Sequence, residues 1–164
     1  MSDTPPESPP PEGGSEGVVP SLVVNAQFVK DLSFENPRAP ASLMATREQP
    51  KIDVNVSVNA RNLSERTFEV TLTIRADAKS GEDPAFVTEL VYAGIFTLAG
   101  VPEDALRPTL LIECPRLLFP FARRIIADAT RDGGFPPLFI NPIDFVALYR
   151  NQFSLHEQQP AGQA

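Results

Sequence analysis

Residues 52–60 (IDVNVSVNA) and 68–76 (FEVTLTIRA) each alternate apolar and polar side chains without a break. In the first, Ile52, Val54, Val56, Val58 and Ala60 share one side, and Asp53, Asn55, Ser57 and Asn59 the other. In the second, Phe68, Val70, Leu72, Ile74 and Ala76 oppose Glu69, Thr71, Thr73 and Arg75. Successive side chains of a strand point to opposite faces, so a period of two predicts two strands with one wet face. The connection Asn62-Leu63-Ser64-Glu65-Arg66 is short enough for a hairpin. Working outward, 24–34 reads as an earlier strand and 85–98 as a later one, with a turn at Ser80-Gly81-Glu82-Asp83-Pro84 before it. The expectation is a four-stranded antiparallel sheet.

The last strand is apolar on both sides: Phe86, Leu90, Tyr92, Phe96 and Leu98 on one, Val87, Val91 and Ile95 on the other. Two-sided burial in so small a chain points to cover by another subunit. Beyond it, Gly100 to Pro108 reads as a loop and the period changes. A helix is expected from about Arg116 to Asp132, where Leu118, Phe121, Ala122, Ile125 and Ala129 form one stripe, widened by Leu117 and Ile126. Pro120 suits only a first turn, so the helix should start close to it. Gly133 and Gly134 are natural stops. A second helix is expected from Asn141-Pro142 to about Phe153, capped by Asn141, with Phe145, Leu148, Tyr149 and Phe153 apolar. Strands followed by helices imply an α+β domain with two long helices on one face of the sheet.

The 164 residues, 42% of them hydrophobic, fit one domain with a real core. Residues 1–20 hold six prolines and three glycines and read as a disordered acidic tail; 156–164 read as a flexible C-terminal tail, leaving 21–155 as the folded domain. Of the net charge of −7, four acids (Asp3, Glu7, Glu12, Glu16) lie in the first seventeen positions, so the remainder carries only −3. Such a body offers no footprint for a phosphate backbone, and nucleic acid is not expected as a partner. The acidic, proline-rich start is the opposite of a signal peptide, and no stretch is long and apolar enough to insert in a membrane, so a cytoplasmic protein is expected.

The chemistry expected is non-enzymatic. Cys114 is the only cysteine and His156 the only histidine, which excludes a zinc site built on such ligands and makes a Ser-His-Asp or Cys-His catalytic arrangement improbable. There is no phosphate-binding Gly-x-x-x-x-Gly-Lys-Ser/Thr loop. Gly94 and Gly100 carry no dinucleotide fingerprint and read as structural. No catalytic residue, metal or cofactor is expected. Asp31, Glu35 and Glu89 are carboxylates on strand-like segments, and paired carboxylates can do acid–base work. Asp31, Ser33 and Glu35 alternate with Leu32 and Phe34, so these acids share a polar side, and Glu89 lies on the less apolar side of its strand. A docking surface and a merely solvated face both remain open.

Four stretches resemble the SecB family of protein-export chaperones: KDLSFENPRAP (30–40), FVTELVYAGIFTLAG (86–100), CPRLLFPFARRIIADATRDGG (114–134) and FPPLFINPIDFVAL (135–148). The resemblance implies an ATP-independent holdase that binds unfolded preproteins, keeps them translocation-competent and delivers them to the SecA motor. It also implies a homotetramer built as a dimer of dimers. Asp31, Glu35 and Glu89 match the family's SecA-binding acids, and Val87 stands where familiar members carry leucine. Phe96, Phe135, Phe139, Phe145, Leu148 and Tyr149 are the client-binding candidates, and Leu118, Phe121, Ile125 and Ile126 the tetramer-interface candidates. Rival readings are a toxin–antitoxin chaperone of the same fold, a non-catalytic adaptor, and a small enzyme using the three carboxylates.

Overall fold

Three of the four strands are joined by turns of two residues. β2 (Lys51–Ser64) turns into β3 (Thr67–Ser80) at Glu65-Arg66, and β3 into β4 (Asp83–Ala99) at Gly81-Glu82. Each turn needs one residue in the left-handed region; Gly81 takes it freely at φ 63°, whereas Arg66 holds φ 58° against its side chain. That conformation is fixed by long-range bonds: Leu98 N–H donates to the Arg66 carbonyl (2.9 Å), and the Arg66 guanidinium donates to the Val101 carbonyl (3.0 Å). β1 (Ser21–Glu35) returns to pair with β4, giving the all-antiparallel order β1-β4-β3-β2, so β1 and β2 are edges. Irregular register at Val24/Ala26 and Val29/Asp31 in β1 switches which residues face which side. The structure is a computed structural model that describes the backbone of residues 17–44 and 48–157, with side chains through 153; of the expected tails, 1–20 and 156–164, all but 17–20 and the helical backbone of 156–157 lie outside the described residues.

The helical half departs from expectation at its start. Helix begins at Glu103, not near Arg116: α2 (Glu103–Pro108), a wider π-type segment (Thr109–Glu113) and α3 (Cys114–Asp132) run on without interruption. The stretch 103–108, expected as loop, is helical; α1 (Ala41–Met44) is a single turn. Pro120, expected in the first turn, lies inside α3 with an exposed ring, and Pro108 also lies within the run. Pro108 and Pro115 bracket the π-type segment, where the widened backbone accommodates missing N–H donors. Helix α4 (Phe145–Glu157) starts later than expected. Its cap is Asp144, whose Oδ1 accepts the Ala147 N–H at 3.0 Å; Asn141 lies in the preceding extended segment.

α3 lies over β4 and β3 and barely reaches β1. The residues it covers are the apolar sets read from the alternation: Val70, Leu72 and Ile74 of β3 and Leu90, Phe96 and Leu98 of β4 are fully buried with Leu118, Ala122 and Ile126. Gly94 makes the close approach possible, since a Cβ there would lie 2.9 Å from the Leu118 Cδ2. A smaller cluster closes one end of the sheet, where Phe86 stacks on Phe34 (5.6 Å between centroids) and tilts against Phe135 (4.9 Å). Thr130, buried in α3, accepts the Leu138 N–H (2.9 Å) and so pins the connection to α4. Phe145 then packs edge-on against Phe119.

Among the described residues no element lies over the second apolar row of β4, where Val87, Val91 and Ile95 are half-buried between their strand neighbours. More exposed apolar surface lies on β1, where α3 leaves Val24, Val29 and Leu32 open, and on the outward side of α3 at Leu117 and Phe121.

Candidate functional site

Two surfaces combine chemistry with access. The first is the sheet face away from the helices. Register sets its pattern: Glu35, Val87, Asp77 and Asp53 lie in one row across the four strands, Ser33, Glu89, Arg75 and Asn55 in the next, and Asp31, Val91, Thr73 and Ser57 in a third. Neighbouring strands are about 4.8 Å apart, so facing side chains in a row touch. The four residues singled out in sequence therefore come together: Val87 lies directly opposite Glu35, and Glu89 is diagonal to both Glu35 and Asp31. Asp31 and Glu35 are exposed; Val87 and Glu89 are half-buried.

Sequence reasoning missed Asp77, which flanks Val87 from the β3 side. Carrying the alternation one step past Ala76 would have placed it on this face. Arg75, also on this face, donates Nε–H to the Asp77 Oδ2 (2.9 Å) and Nη2–H to Oδ1 (3.1 Å); its Nη1 lies 3.5 Å from the Glu89 Oε2. Farther along, Glu69 is buried and its Oε1 accepts from both Lys30 of β1 and Arg61 of β2, each at 3.0 Å. The hydrogen bond from Arg61, then that from Lys30, holds the Glu69 carboxyl below its ordinary range against the opposing effect of burial. This strap ties together strands that share no direct ladder.

The second surface is a groove of about 700 Å³ between β2, the start of the long helix and α4. Val58, Ala60 and Phe68 form its sheet wall, Leu106 and Leu110 its helix wall, and Tyr149 with Phe153 its far wall. Tyr149 and Phe153 rings lie 5.7 Å apart, and the Arg107 guanidinium sits 5.4 Å over Phe153. One rim is β2, an edge strand whose outer ladder side is unpaired among the described residues. Asn59, Arg61, Asn62, Glu103 and Gln152 join the lining, so the trough mixes apolar walls with polar margins. Beside a strand edge it can take an extended chain of many sequences, side chains meeting the walls while the backbone pairs with the edge.

The apolar candidates divide by burial. Phe96 and Phe145 are fully buried in the core of the single chain, so neither offers surface to a client; the alternation that marked Phe96 as apolar also aimed it at Leu118. Leu118 and Ile126 are likewise consumed by the sheet beneath α3 and are not free for a subunit contact. Phe121, 50% exposed, and Ile125, half-buried, lie farther round the helix, where Leu117 joins them. Leu148 and Tyr149 are half-buried, Phe135 belongs to the end cluster, and Phe139 is 64% exposed with Arg123 over its ring. Leu106, Leu110 and Phe153 are groove residues not foreseen; the first two were hidden by reading 100–108 as loop and the helix as starting at 116.

Cys114 is fully buried, and its thiol is pushed up to about 12, first by burial and then by the Glu113 charge, so it stays protonated and a poor nucleophile at neutral pH. Among the described residues no group of three or more His, Cys, Asp or Glu could hold a metal ion, and no helix is long and apolar enough to cross a membrane.

A family model described as preprotein translocase subunit SecB matches residues 15–156. The chain belongs to the SecB family. A protein-export protein SecB of Rhodopseudomonas palustris (strain HaA2) is 55% identical over 150 residues, covering 92% of this chain and 93% of the relative. One of Rhodospirillum centenum is 60% identical over 132 residues, 80% of this chain and 79% of the relative. Among solved structures, the Rv1957 SecB-like chaperone of Mycobacterium tuberculosis, in complex with a ChAD peptide from the Rv1956 HigA1 antitoxin, shares the fold. Its TM-score is 0.61 at 14% identity, covering 75% of this chain and 91% of that one. At that identity the likeness is one of fold alone. The SecB family relatives are export proteins by name, which does not favour the toxin–antitoxin alternative.

Proposed function

We propose that this chain is a cytoplasmic, non-enzymatic holdase that binds unfolded preproteins without ATP and passes them to SecA. Membership of the SecB family carries the chaperone role in protein export. The observation that carries the mode of binding is the apolar groove running along the unpaired edge of β2. An unfolded precursor exposes apolar segments together with backbone groups free to exchange water for a strand partner, and this groove suits both without demanding a sequence. Phe135, Phe139, Leu148 and Tyr149 remain client-contact candidates, joined by Leu106, Leu110 and Phe153; Phe96 and Phe145 hold the scaffold.

In the same reading, Asp31, Glu35, Val87 and Glu89 form the SecA-docking face. An apolar centre rimmed by carboxylates suits a basic partner surface, which it would steer and orient. Assembly into a homotetramer accounts for the apolar residues left open on β1 and for Phe121 and Ile125 on α3. Several grooves on one particle would engage several segments of one client, and multivalency then slows release.

Light scattering coupled to size exclusion, with and without an unfolded export precursor, tests the reading. The expected result is a tetramer that retains the unfolded precursor and not its folded form. A monomer without that selectivity would overturn it.

A further inference from the structure

The docking face contains a cation of its own. Arg75 sits directly opposite Glu89 on the neighbouring strand, with Asp77 two residues along on the same face. Its guanidinium is turned along its own strand: two donors go to the two oxygens of Asp77 at 2.9 and 3.1 Å. Only Nη1 approaches Glu89, at 3.5 Å, which is long for a charge-assisted hydrogen bond. All three side chains keep between 35% and 48% of their surface exposed, so the arrangement is open to an incoming group. The other cations near the centre of this face, Lys30 and Arg61, are committed to Glu69.

We infer that Arg75 sets the affinity and selectivity of this face, by competing with an incoming basic partner for Glu89 while Asp77 holds it part-way off. The inference rests on the docking reading given above and deepens it. Asp77 satisfies the fork of the guanidinium in the two-point geometry that arginine favours, leaving Glu89 a single longer contact to Nη1. A partner presenting a single weak cation meets a carboxylate already partly balanced by Nη1. A partner presenting a cluster of cations can draw on Glu89, Asp31 and Glu35 together and displace that contact. The face thereby discriminates by the number of charges the partner brings, which is selection against weak binders as well as attraction of strong ones. Removing Asp77 frees the fork to turn onto Glu89; removing Arg75 leaves Glu89 and Asp77 both open.

The test is titration of the full chain with SecA by calorimetry at low and at physiological ionic strength. The variants are E89Q, R75Q, D77N, the double variant R75Q/D77N, and D53N, with thermal melts to confirm that each is folded. Asp53 stands next to Asp77 in the same row, so D53N removes one charge without releasing Arg75. The expected result is that E89Q weakens binding, R75Q tightens it about two- to fivefold at low salt, and D77N weakens it more than D53N does. In the R75Q background the loss from D77N should shrink to that of D53N. Unchanged or weaker binding by R75Q, or equal losses from D77N and D53N, with E89Q still impaired, would overturn the inference and leave the docking reading intact. No effect of E89Q would instead remove the docking reading and the inference with it.

Discussion

Replacing Gly94 with alanine adds one methyl at the closest approach of sheet and helix. The new Cβ would lie 2.7 Å from the Phe96 Cε2 and 2.9 Å from the Leu118 Cδ2, where carbon atoms normally rest at about 3.5–4.0 Å. Both contacts are ends of side chains, but Phe96 and Leu118 are fully buried, so any shift must be passed on to their neighbours in the core. Overpacking of this kind costs about 1–3 kcal/mol. Against it stands a gain of about 0.4–1 kcal/mol from reduced freedom of the unfolded chain. The expected balance is a loss of about 0.5–2 kcal/mol, measured as a lower urea midpoint with unchanged slope, at one fixed protein concentration because assembly contributes to stability. Leu118→Ala alone should cost about 2–5 kcal/mol, and about 1 kcal/mol less when Gly94 is already alanine, since the added methyl then occupies part of the void. A G94A variant as stable as the parent, or strict additivity with Leu118→Ala, would refute the packing argument.

Acid stability should depend on the Glu69 strap. Because this carboxyl is depressed in the folded state, its contribution is complete above the unfolded value near 4.5 and is lost as pH falls below it. Glu69→Gln should therefore be less stable than the parent at pH 7, with the gap closing in acid unfolding curves below about pH 4.5. Tyr149→Ser combined with Phe153→Ser should weaken capture of an unfolded precursor about tenfold in fluorescence competition while leaving the melting curve nearly unchanged. Phe145→Ala should instead cost about 3–5 kcal/mol of stability, because its ring is core. Asp144→Ala removes the cap of α4 and should cost about 0.5–2 kcal/mol, read by urea unfolding. Cys114 should resist a thiol reagent at pH 8 until the chain is unfolded; rapid labelling of the native protein would contradict its burial.

The sheet was legible because its signal is local. Alternation over 52–60 and 68–76 gave strand, face and hairpin together, and the same arithmetic put Asp31 and Glu35 on one polar side and Glu89 on the less apolar side of its strand, while Val87 was named only by the resemblance. The helical run was legible only in its second half. Four prolines between positions 102 and 120 each argue for a boundary when read singly, yet Pro102 lies just before the run, Pro115 opens α3, and Pro120 sits on the exposed side. Missing the stretch from Glu103 to Pro115 hid Leu106 and Leu110, and with them one wall of the groove. Burial of Phe96, Phe145, Leu118 and Ile126 was beyond composition, since apolar character alone does not say whether a ring meets the sheet, a client or a second copy. That depends on where α3 lies across the sheet, over β4 and β3 and only marginally over β1.

Strand order carries a consequence for the sequence of events in folding. β2, β3 and β4 are joined by two-residue turns and can zip as neighbours, whereas β1 must wait for β4, with Ser21 meeting Ala99 and Glu35 meeting Val87 across most of the domain. Closing so long a loop is slow compared with forming a hairpin, so β1 is expected to join last. Asp31 and Glu35 travel on that strand, while Glu89 and Val87 wait on β4. The acidic face is thus complete only once β1 has joined β4, while the trough beside β2 waits in turn for Tyr149 and Phe153 of α4, so the two surfaces come into being by separate steps.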